Sequence, residues 1–492
     1  ISAPNRYSPI RHPEKAQERR DVALGRLEKV GWLASSEAKK LRSERFKSVQ
    51  PRVRKKAPWA LDSVISEAEQ VFGDGAVAEK TLTIQTTIDA LLQLVAERAV
   101  AEGLAEIQSK FPKSKGTEAA LVALDVKTGA VLAMVGGRKY GASTFNRATL
   151  GQRQVGSTIK PLTWLYAFED DANLAPNSLI LDEPIEREVN GKVWAPRNYD
   201  GEFVGELTME EALAQSRNIP AILVAEMVGM ESLARRWNLL GLTSAKPYPS
   251  ASLGAFDASP TDLAAAYTVF PGMGRSVQPT LIRSVRLPDG EEGWTQDIRK
   301  QRVASARAAF LATTTLEAVM NGGTGKGAAA YGLSGFVGGK TGTTDNGRDA
   351  WFVGFTDSIA VAVWVGFDKQ KDLGLTGAQA ALPIWARFVA GSGRVGERPS
   401  PPDSVVSAPL CEETGQIALP ECPSSNQGWF SEGSEEGGAC ELHAEGTFFG
   451  TESIIDSLRE KLKRNTSQAA DESTEDKPVQ DKKRRWRRKR KD

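Results

Sequence analysis

Histidine is scarce in this chain: among 492 residues there are only two, His12 and His443, one near each end. A hydrolase or acyl transferase built on a Ser-His-Asp triad needs a histidine beside its serine, and neither position sits in a segment that reads as core, so a triad is hard to assemble. Cysteine is nearly as rare. The three present, Cys411, Cys422 and Cys440, all lie in the last fifth of the chain, which rules out a disulfide-dense scaffold. No run of 18 or more apolar residues occurs, so nothing in the sequence reads as a membrane-spanning helix. No signal peptide is visible, and the first residue is Ile rather than Met, which leads us to expect a chain that starts inside a longer gene product.

Charge is abundant but uneven. Residues 1–57 hold 16 Lys/Arg against 6 Asp/Glu, and residues 481–492 hold 9 against 2, so with a net charge of +1 the remainder is acidic. The length and the 40% hydrophobic content allow a large core divided over two or more domains.

The chain is organised around Gly156-Ser157-Thr158-Ile159-Lys160-Pro161. If Ser157 opens a helix, Lys160 lies three residues on, on the same face, with its ammonium within reach of the hydroxyl. An alcohol is a weak nucleophile near neutral pH and needs a proton acceptor close by. With histidine scarce, lysine is the more plausible base, and it must then be desolvated or set beside another cation. Gly156 permits a sharp entry into the helix. Pro161 removes one N–H and so leaves the Ser157 or Val155 carbonyl without its helical partner.

Ser-x-x-Lys alone is a weak signal. Two further pieces follow in order: Ser216-Arg217-Asn218 after a helical run at 209–215, and Lys340-Thr341-Gly342-Thr343-Thr344 after Gly335-Phe336-Val337-Gly338-Gly339. This ordered set resembles the serine enzymes that recognise penicillin. The text around it, Arg153-Gln154-Val155-Gly156-Ser157-Thr158-Ile159-Lys160-Pro161, Ser216-Arg217-Asn218-Ile219-Pro220, the phrases at 194–199 and 349–355 and Gly323-Thr324-Gly325, is similar to the class A, bifunctional, penicillin-binding proteins of the 1A type. The resemblance runs from near residue 1 to about 450.

It implies a peptidoglycan D,D-transpeptidase that forms peptide cross-links from D-Ala-D-Ala stem peptides through a serine acyl-enzyme and is inhibited covalently by β-lactams. By resemblance, Ser157 is the nucleophile, Lys160 its base, Ser216 a proton relay to the leaving amine, and Asn218 the residue that orients Lys160 and the substrate amide. The backbone N–H groups of Ser157 and Thr343 would form the oxyanion hole. Lys340, Thr341 and Thr343 would hold the terminal carboxylate, with Gly342 admitting substrate beside the strand. No cofactor or metal is implied, nor any nucleic-acid partner. Cell-wall synthesis partners and an anchor upstream of residue 1, on the extracytoplasmic face of the bacterial inner membrane, are implied.

Read in order, 13–30 and 35–46 form a basic helical pair, which the resemblance identifies with the closing helices of a glycosyltransferase domain. Its catalytic region would lie upstream, so these 492 residues are not expected to polymerise glycan. Residues 58–117 read as an interdomain linker containing an amphipathic helix, a strand at 82–88 and a helix from Asp89 to about Lys110. Residues 118–392 form the transpeptidase domain. There, 119–124 and 130–135 make an apolar hairpin, 182–205 reads as loop, 262–270 as helix, 277–286 as strand, 335–343, 351–355 and 359–367 as antiparallel strands, and 382–389 as the last helix. Strands at both ends of the domain with helices between them predict one antiparallel sheet covered on both faces, a three-layer α/β (α+β) fold.

Residues 393–464 form a small cysteine-containing subdomain. Three thiols and His443 have the chemistry to hold Zn²⁺, but the compartment implied by the resemblance favours disulfides. Cys422–Cys440 is the expected bridge, with one cysteine left over. From 465 the chain reads as disordered with a basic end, a solvated charge run or a clamp on anionic lipid or cell-wall polymer. A β-lactamase would need a further glutamate; Glu317, four residues before Asn321, reads instead as helix surface. A D,D-carboxypeptidase and a non-catalytic β-lactam sensor or scaffold share the three motifs and stand as alternatives.

Overall fold

The structure, a computed structural model, describes residue 7, residues 12–44, residues 56–434 apart from 74, 76, 78–81, 142, 288–289, 345–346 and 370, and residues 439–443. Nearly all of the expected lead at 1–12, and the whole of the tail from 465 with its basic end, lie outside the described residues. The chain divides into two units, Ile1–Lys56 and Ala57–Asp492.

In the first unit, α1 (Pro13–Lys29) and α2 (Ser35–Ser43) form a helical hairpin. Pro13 opens α1 at the one turn where a missing N–H costs nothing. Gly31, at φ 78°, makes the reversal. Arg42 bridges back to Glu28 at 2.9 Å, and Ala16 and Ala38 are the buried residues of the two helices.

The second unit is built on a five-stranded sheet. Its strands are β1 (Glu118–Asp125), β2 (Val131–Val135), β3 (Gly338–Thr343), β4 (Asp349–Phe355) and β5 (Ile359–Gly366). They lie in the order β3-β4-β5-β1-β2, every neighbouring pair antiparallel. The β5–β1 pairing, from Ile359 opposite Asp125 to Gly366 opposite Glu118, joins the two ends of the domain. β3 is left as an edge strand.

Alternation explains why the strands read as unbroken apolar runs. Ala119, Leu121 and Ala123 face one layer together with Phe352, Val361 and Val363. Ala120, Val122 and Leu124 face the other with Trp351, Val353 and Trp364. With both faces covered, neither set of alternate residues is free to be polar. The first covering layer holds α4 (Ala90–Lys110) and α11 (Gly377–Ser392). The other holds α5 (Lys160–Asp170), α7 (Asn218–Val228), α8 (Met230–Leu239), α9 (Pro260–Tyr267) and α10 (Ala306–Asn321). The remaining helices, α3 (Pro58–Phe72) and the short α6 (Met209–Ala214), pack against this same core. The expected three-layer arrangement is what forms.

Several boundaries differ from the sequence reading. The stretch at 182–205 is not plain loop: Leu179–Asp182 pairs with Gly205–Thr208, and Arg187–Val189 with Lys192–Trp194. Polar composition hid these strands because they lie outside the main sheet. The strand expected at 277–286 is split into Arg275–Val277 and Ile282–Arg286; Pro279, without an N–H, lies in the break. The last helix starts at Gly377, not 382, because Thr376 and Gln379 form a capping box ahead of the apolar run.

The expected Cys422–Cys440 disulfide is not formed: all three cysteines are free. Cys411 ends β6 (Val405–Cys411), which pairs with β7 (Ser425–Ser431), and the Cys440 N–H donates to Ile417 O at 2.8 Å. The fold thus draws all three thiols to one corner rather than pairing two of them. No helix among the described residues is long and apolar enough to cross a membrane.

Candidate active site

Ser157 lies just ahead of a helix rather than on it. Gly156–Ile159 is a 3-10 turn, and α5 begins at Lys160. Pro161 is therefore the second residue of α5, where no hydrogen bond is lost. The carbonyls it was expected to orphan are satisfied otherwise: the Lys160 N–H donates to Ser157 O, and the Thr158 hydroxyl to Val155 O at 2.8 Å. Tyr267 Oη, from α9, donates to Thr158 O at 2.5 Å, and Trp351 Nε1, from β4, to Gln154 O at 2.9 Å. Gly156 sits at φ 55°, and a Cβ there would come within 2.9 Å of Thr343 O. The nucleophile turn is thus clamped against the edge strand by contacts that leave no room for a side chain.

Lys160 is fully buried. Its Nζ donates to Ser216 O at 2.7 Å, Arg217 O at 3.0 Å and Asn218 Oδ1 at 2.8 Å. Among the described residues it makes no hydrogen bond to Ser157 Oγ. The sequence placed the two groups side by side; in this state all three N–H bonds of an ammonium are committed elsewhere. Burial nonetheless drives the Lys160 pKa well below that of a free lysine, aided by the positive charges of Lys340 and Arg217 and opposed by Asp182. Once neutral, the amine has two N–H groups for three acceptors and a lone pair to turn toward the serine.

Ser216 forms the second corner. α6 ends in a Schellman motif: the Ser216 N–H donates to Leu213 O and the Arg217 N–H to Ala212 O. Ser216 occupies the left-handed position at φ 61°, which glycine usually fills. That conformation costs of order 1–3 kcal/mol, and in it the hydroxyl accepts from Lys340 Nζ at 2.8 Å. Asn218 opens α7. Replacing Ser216 by glycine is expected to leave thermal stability unchanged or raised by about 1 kcal/mol, while slowing acylation by about 10²-fold. Thermal melts and β-lactam acylation rates on one preparation check both halves.

Beneath Asn218 lies a network that motif reading missed. The Asn218 N–H donates to Asn198 Oδ1 at 2.7 Å, and Asn198 Nδ2 to Asp182 Oδ1 at 2.6 Å. Arg217 Nε donates to the fully buried Asp182 at 2.8 Å and its Nη1 to Asp200 at 2.6 Å. These groups fix the carbonyls and the amide that hold Lys160. The conspicuous phrase at 194–199 contained Asn198; Asp182 had no local signal.

Lys340, also fully buried, donates to Ser216 Oγ and to Thr341 O, and burial pulls its pKa down to about 7. The Thr341 hydroxyl donates to that of Thr324 at 2.8 Å. Thr343 Oγ1 accepts the Gly377 N–H at 3.1 Å, which leaves its own proton to donate. Gly342 also has a packing reason to lack a side chain. A Cβ there would lie 2.7 Å from Thr158 Cγ2 and 3.0 Å from Trp351 Cβ, so its bareness lets the nucleophile turn pack on β3. Ser157, Ser216, Asn218, Thr341 and Thr343 line one cleft of about 790 Å³ with Trp194, Tyr199 and Thr324. Glu317 is not among its lining residues. Rather than helix surface, it is half-buried, 3.1 Å from Arg398, with its carboxyl pushed up to about 7 by burial.

A serine at a clamped turn, a buried lysine behind it and a cationic edge strand are the arrangement of one class, the penicillin-recognising serine acyl transferases. Residues 119–386 match the penicillin binding protein transpeptidase domain. Penicillin-binding protein 1B of Escherichia coli is 32% identical over 406 residues, covering 81% of this chain and 48% of that protein. The crystal structure of penicillin-binding protein 1A from Haemophilus influenzae superposes with a TM-score of 0.76 at 22% identity, over 88% of this chain and 84% of the other. PonA1 of Mycobacterium tuberculosis, solved in complex with penicillin V, gives 0.61 at 24% identity, over 71% and 96%. The chain belongs to the class A penicillin-binding proteins and carries their transpeptidase domain. It spans about half the length of curated relatives such as the Escherichia coli and Vibrio cholerae 1B proteins.

Proposed function

We propose that the domain is a D,D-transpeptidase. The observation that carries the reading is the convergence on Lys160 Nζ of Ser216 O, Arg217 O and Asn218 Oδ1 in a buried setting one turn from Ser157. Neutral Lys160 takes the Ser157 proton as Oγ attacks the carbonyl between the two terminal D-alanines. The oxyanion is held by the backbone N–H groups of Ser157 and Thr343; losing one such donor typically costs ~10²–10³ in rate. Ser216 passes a proton to the departing amine, D-alanine leaves, and the acyl group stays on Ser157. An acceptor amine then attacks the ester, forming the cross-link and returning the proton through the same relay. Lys340 supplies charge, and Thr341 and Thr343 supply hydroxyls, for the terminal carboxylate. A β-lactam enters by the same attack, but its leaving nitrogen remains tethered to the acyl group, which accounts for lasting inhibition.

In the same reading, residues 1–57 are the closing helices of a glycosyltransferase domain, 58–117 the linker, 118–392 the transpeptidase domain, 393–464 a small cysteine-bearing subdomain and 465–492 a basic tail. The whole protein is then bifunctional, works on the outer face of the bacterial cytoplasmic membrane, and meets other cell-wall synthesis proteins there.

The test is product partition. Given a D-Ala-D-Ala donor and an increasing concentration of amine acceptor, the 492-residue chain is expected to form an amide-linked product at the expense of hydrolysis, read by mass spectrometry. Hydrolysis insensitive to acceptor would assign a carboxypeptidase, and no turnover of either kind a β-lactam sensor.

A further inference from the structure

We propose that Cys411, Cys422, Cys440 and His443 hold one structural Zn²⁺ that ties the C-terminal lobe together. The four ligand atoms lie within 4.8 Å of one another. His443 Nδ1 is 3.6 Å from Cys411 Sγ, 3.5 Å from Cys422 Sγ and 3.2 Å from Cys440 Sγ. A tetrahedral zinc with bonds of about 2.3 Å to sulfur and 2.0–2.1 Å to nitrogen spaces its sulfur and nitrogen ligands by about 3.6 Å. The three sulfur-to-nitrogen distances already match that spacing to within about 0.4 Å.

The surroundings fit a closed metal site. Four protein ligands fill a tetrahedral shell and leave no position for water or substrate, the mark of a structural rather than a catalytic zinc. His443 Nε2 lies 3.5 Å from Glu413 Oε2, so the carboxylate is placed to accept from Nε2–H, which holds the tautomer whose Nδ1 lone pair is free for the metal. Binding releases three thiol protons to solvent, and three thiolates with one neutral imidazole leave the site with a net charge of −1. Two donors face that excess: the Leu419 N–H points to Cys422 Sγ at 3.2 Å, and the Thr414 hydroxyl to Cys440 Sγ at 3.4 Å.

Zinc also resolves the odd cysteine count. A disulfide would use two thiols and strand the third, whereas three thiols and one imidazole complete a single site. The lobe needs a tie. The β6–β7 pair is a lone two-stranded ribbon, marginal by itself in water. It rests on α10 through Trp429, edge-on to Phe310 at 5.1 Å, and through the Arg307–Ser431 hydrogen bond. The ligands bridge residues 411 to 443 and so close the loops beyond the ribbon.

The experiment uses the full 492-residue chain, prepared without chelators, given a slight excess of zinc chloride and desalted. Elemental mass spectrometry is expected to find about one zinc per chain, falling below about a tenth in Cys422→Ser and His443→Ala and unchanged in Ser157→Ala. Unfolding in chelator and iodoacetamide without reductant should alkylate all three cysteines. A third arm avoids variants that fail to fold: cobalt(II) added to the metal-stripped wild-type chain should give thiolate-to-cobalt charge-transfer and tetrahedral ligand-field bands that saturate at one equivalent. Wild-type chain retaining less than about a tenth of an equivalent of zinc, two cysteines refractory to alkylation, or cobalt spectra without those bands would each overturn the proposal.

Discussion

A fluorescent penicillin is expected to label the chain covalently, and Ser157→Ala is expected to lose that label by at least about 10³-fold in rate, leaving no band on a denaturing gel. Ser157 lines the cleft, and no hydrogen bond from its hydroxyl ties it to another of the described residues. The clamps on its turn act through Gly156, Thr158, Gln154 and the Ser157 carbonyl, not through its hydroxyl. Removing Oγ should therefore leave the fold and the thermal midpoint unchanged. Two other serines line the same cleft, Ser216 and Ser250. Label persisting at the wild-type rate in Ser157→Ala would move the nucleophile to one of them and refute the reading of Lys160 as the base for Ser157.

Fixed spacing made most of this cleft legible in the sequence. Ser157 and Lys160, Ser216 and Asn218, and Lys340, Thr341 and Thr343 each lie within a few residues of one another, where sequence spacing shows which groups share a region. The apolar runs of β1, β2, β4 and β5 were equally plain, because a sheet covered on both faces excludes polar alternation. What lay hidden depends on long-range closure. Asp182 reaches Arg217 and Asn198 only after the short strands at 179–182 and 205–208 pair, and no local pattern marks it. Gly342 was visible as a glycine, yet its reason is Thr158 pressed against it, a contact between segments far apart in the chain. The thiols tell the same story: their chemistry was readable, but whether two pair or three converge with His443 is decided by where β6 ends. The proline-bearing break at 279 and the polar cap at 376 misled for an opposite reason, since apolar periodicity stops short of caps and says nothing across a proline.

Replacing Lys340 by methionine is expected to move the rising, alkaline-going limb of the acylation profile to higher pH and to lower the acylation rate by about 10²–10³-fold. Two effects combine. Lys160 acts when neutral, so the rate rises as pH passes upward through its pKa. That pKa is depressed first by burial and then by the positive charge of Lys340, with Arg217 adding to the effect and Asp182 opposing it. Lys340 sits on the far side of Ser216: its Nζ meets the hydroxyl while Lys160 Nζ meets the carbonyl. Like charges hydrogen-bonded to two atoms of one residue repel, so an uncharged residue of similar length relieves Lys160, raises its pKa and delays its deprotonation. The second effect is on the substrate: losing the charged partner of a bound carboxylate costs about 2–5 kcal/mol. Lys340 itself, with a pKa lowered to about 7 by burial, should give the wild-type profile a falling limb as it loses its charge, and Lys340→Met should lack that limb. The profile, followed with one β-lactam across pH 5 to 10 in both proteins, separates the contributions. A rising limb that stays in place while only apparent affinity falls would make Lys340 a carboxylate anchor alone and leave burial as the sole cause of a neutral Lys160.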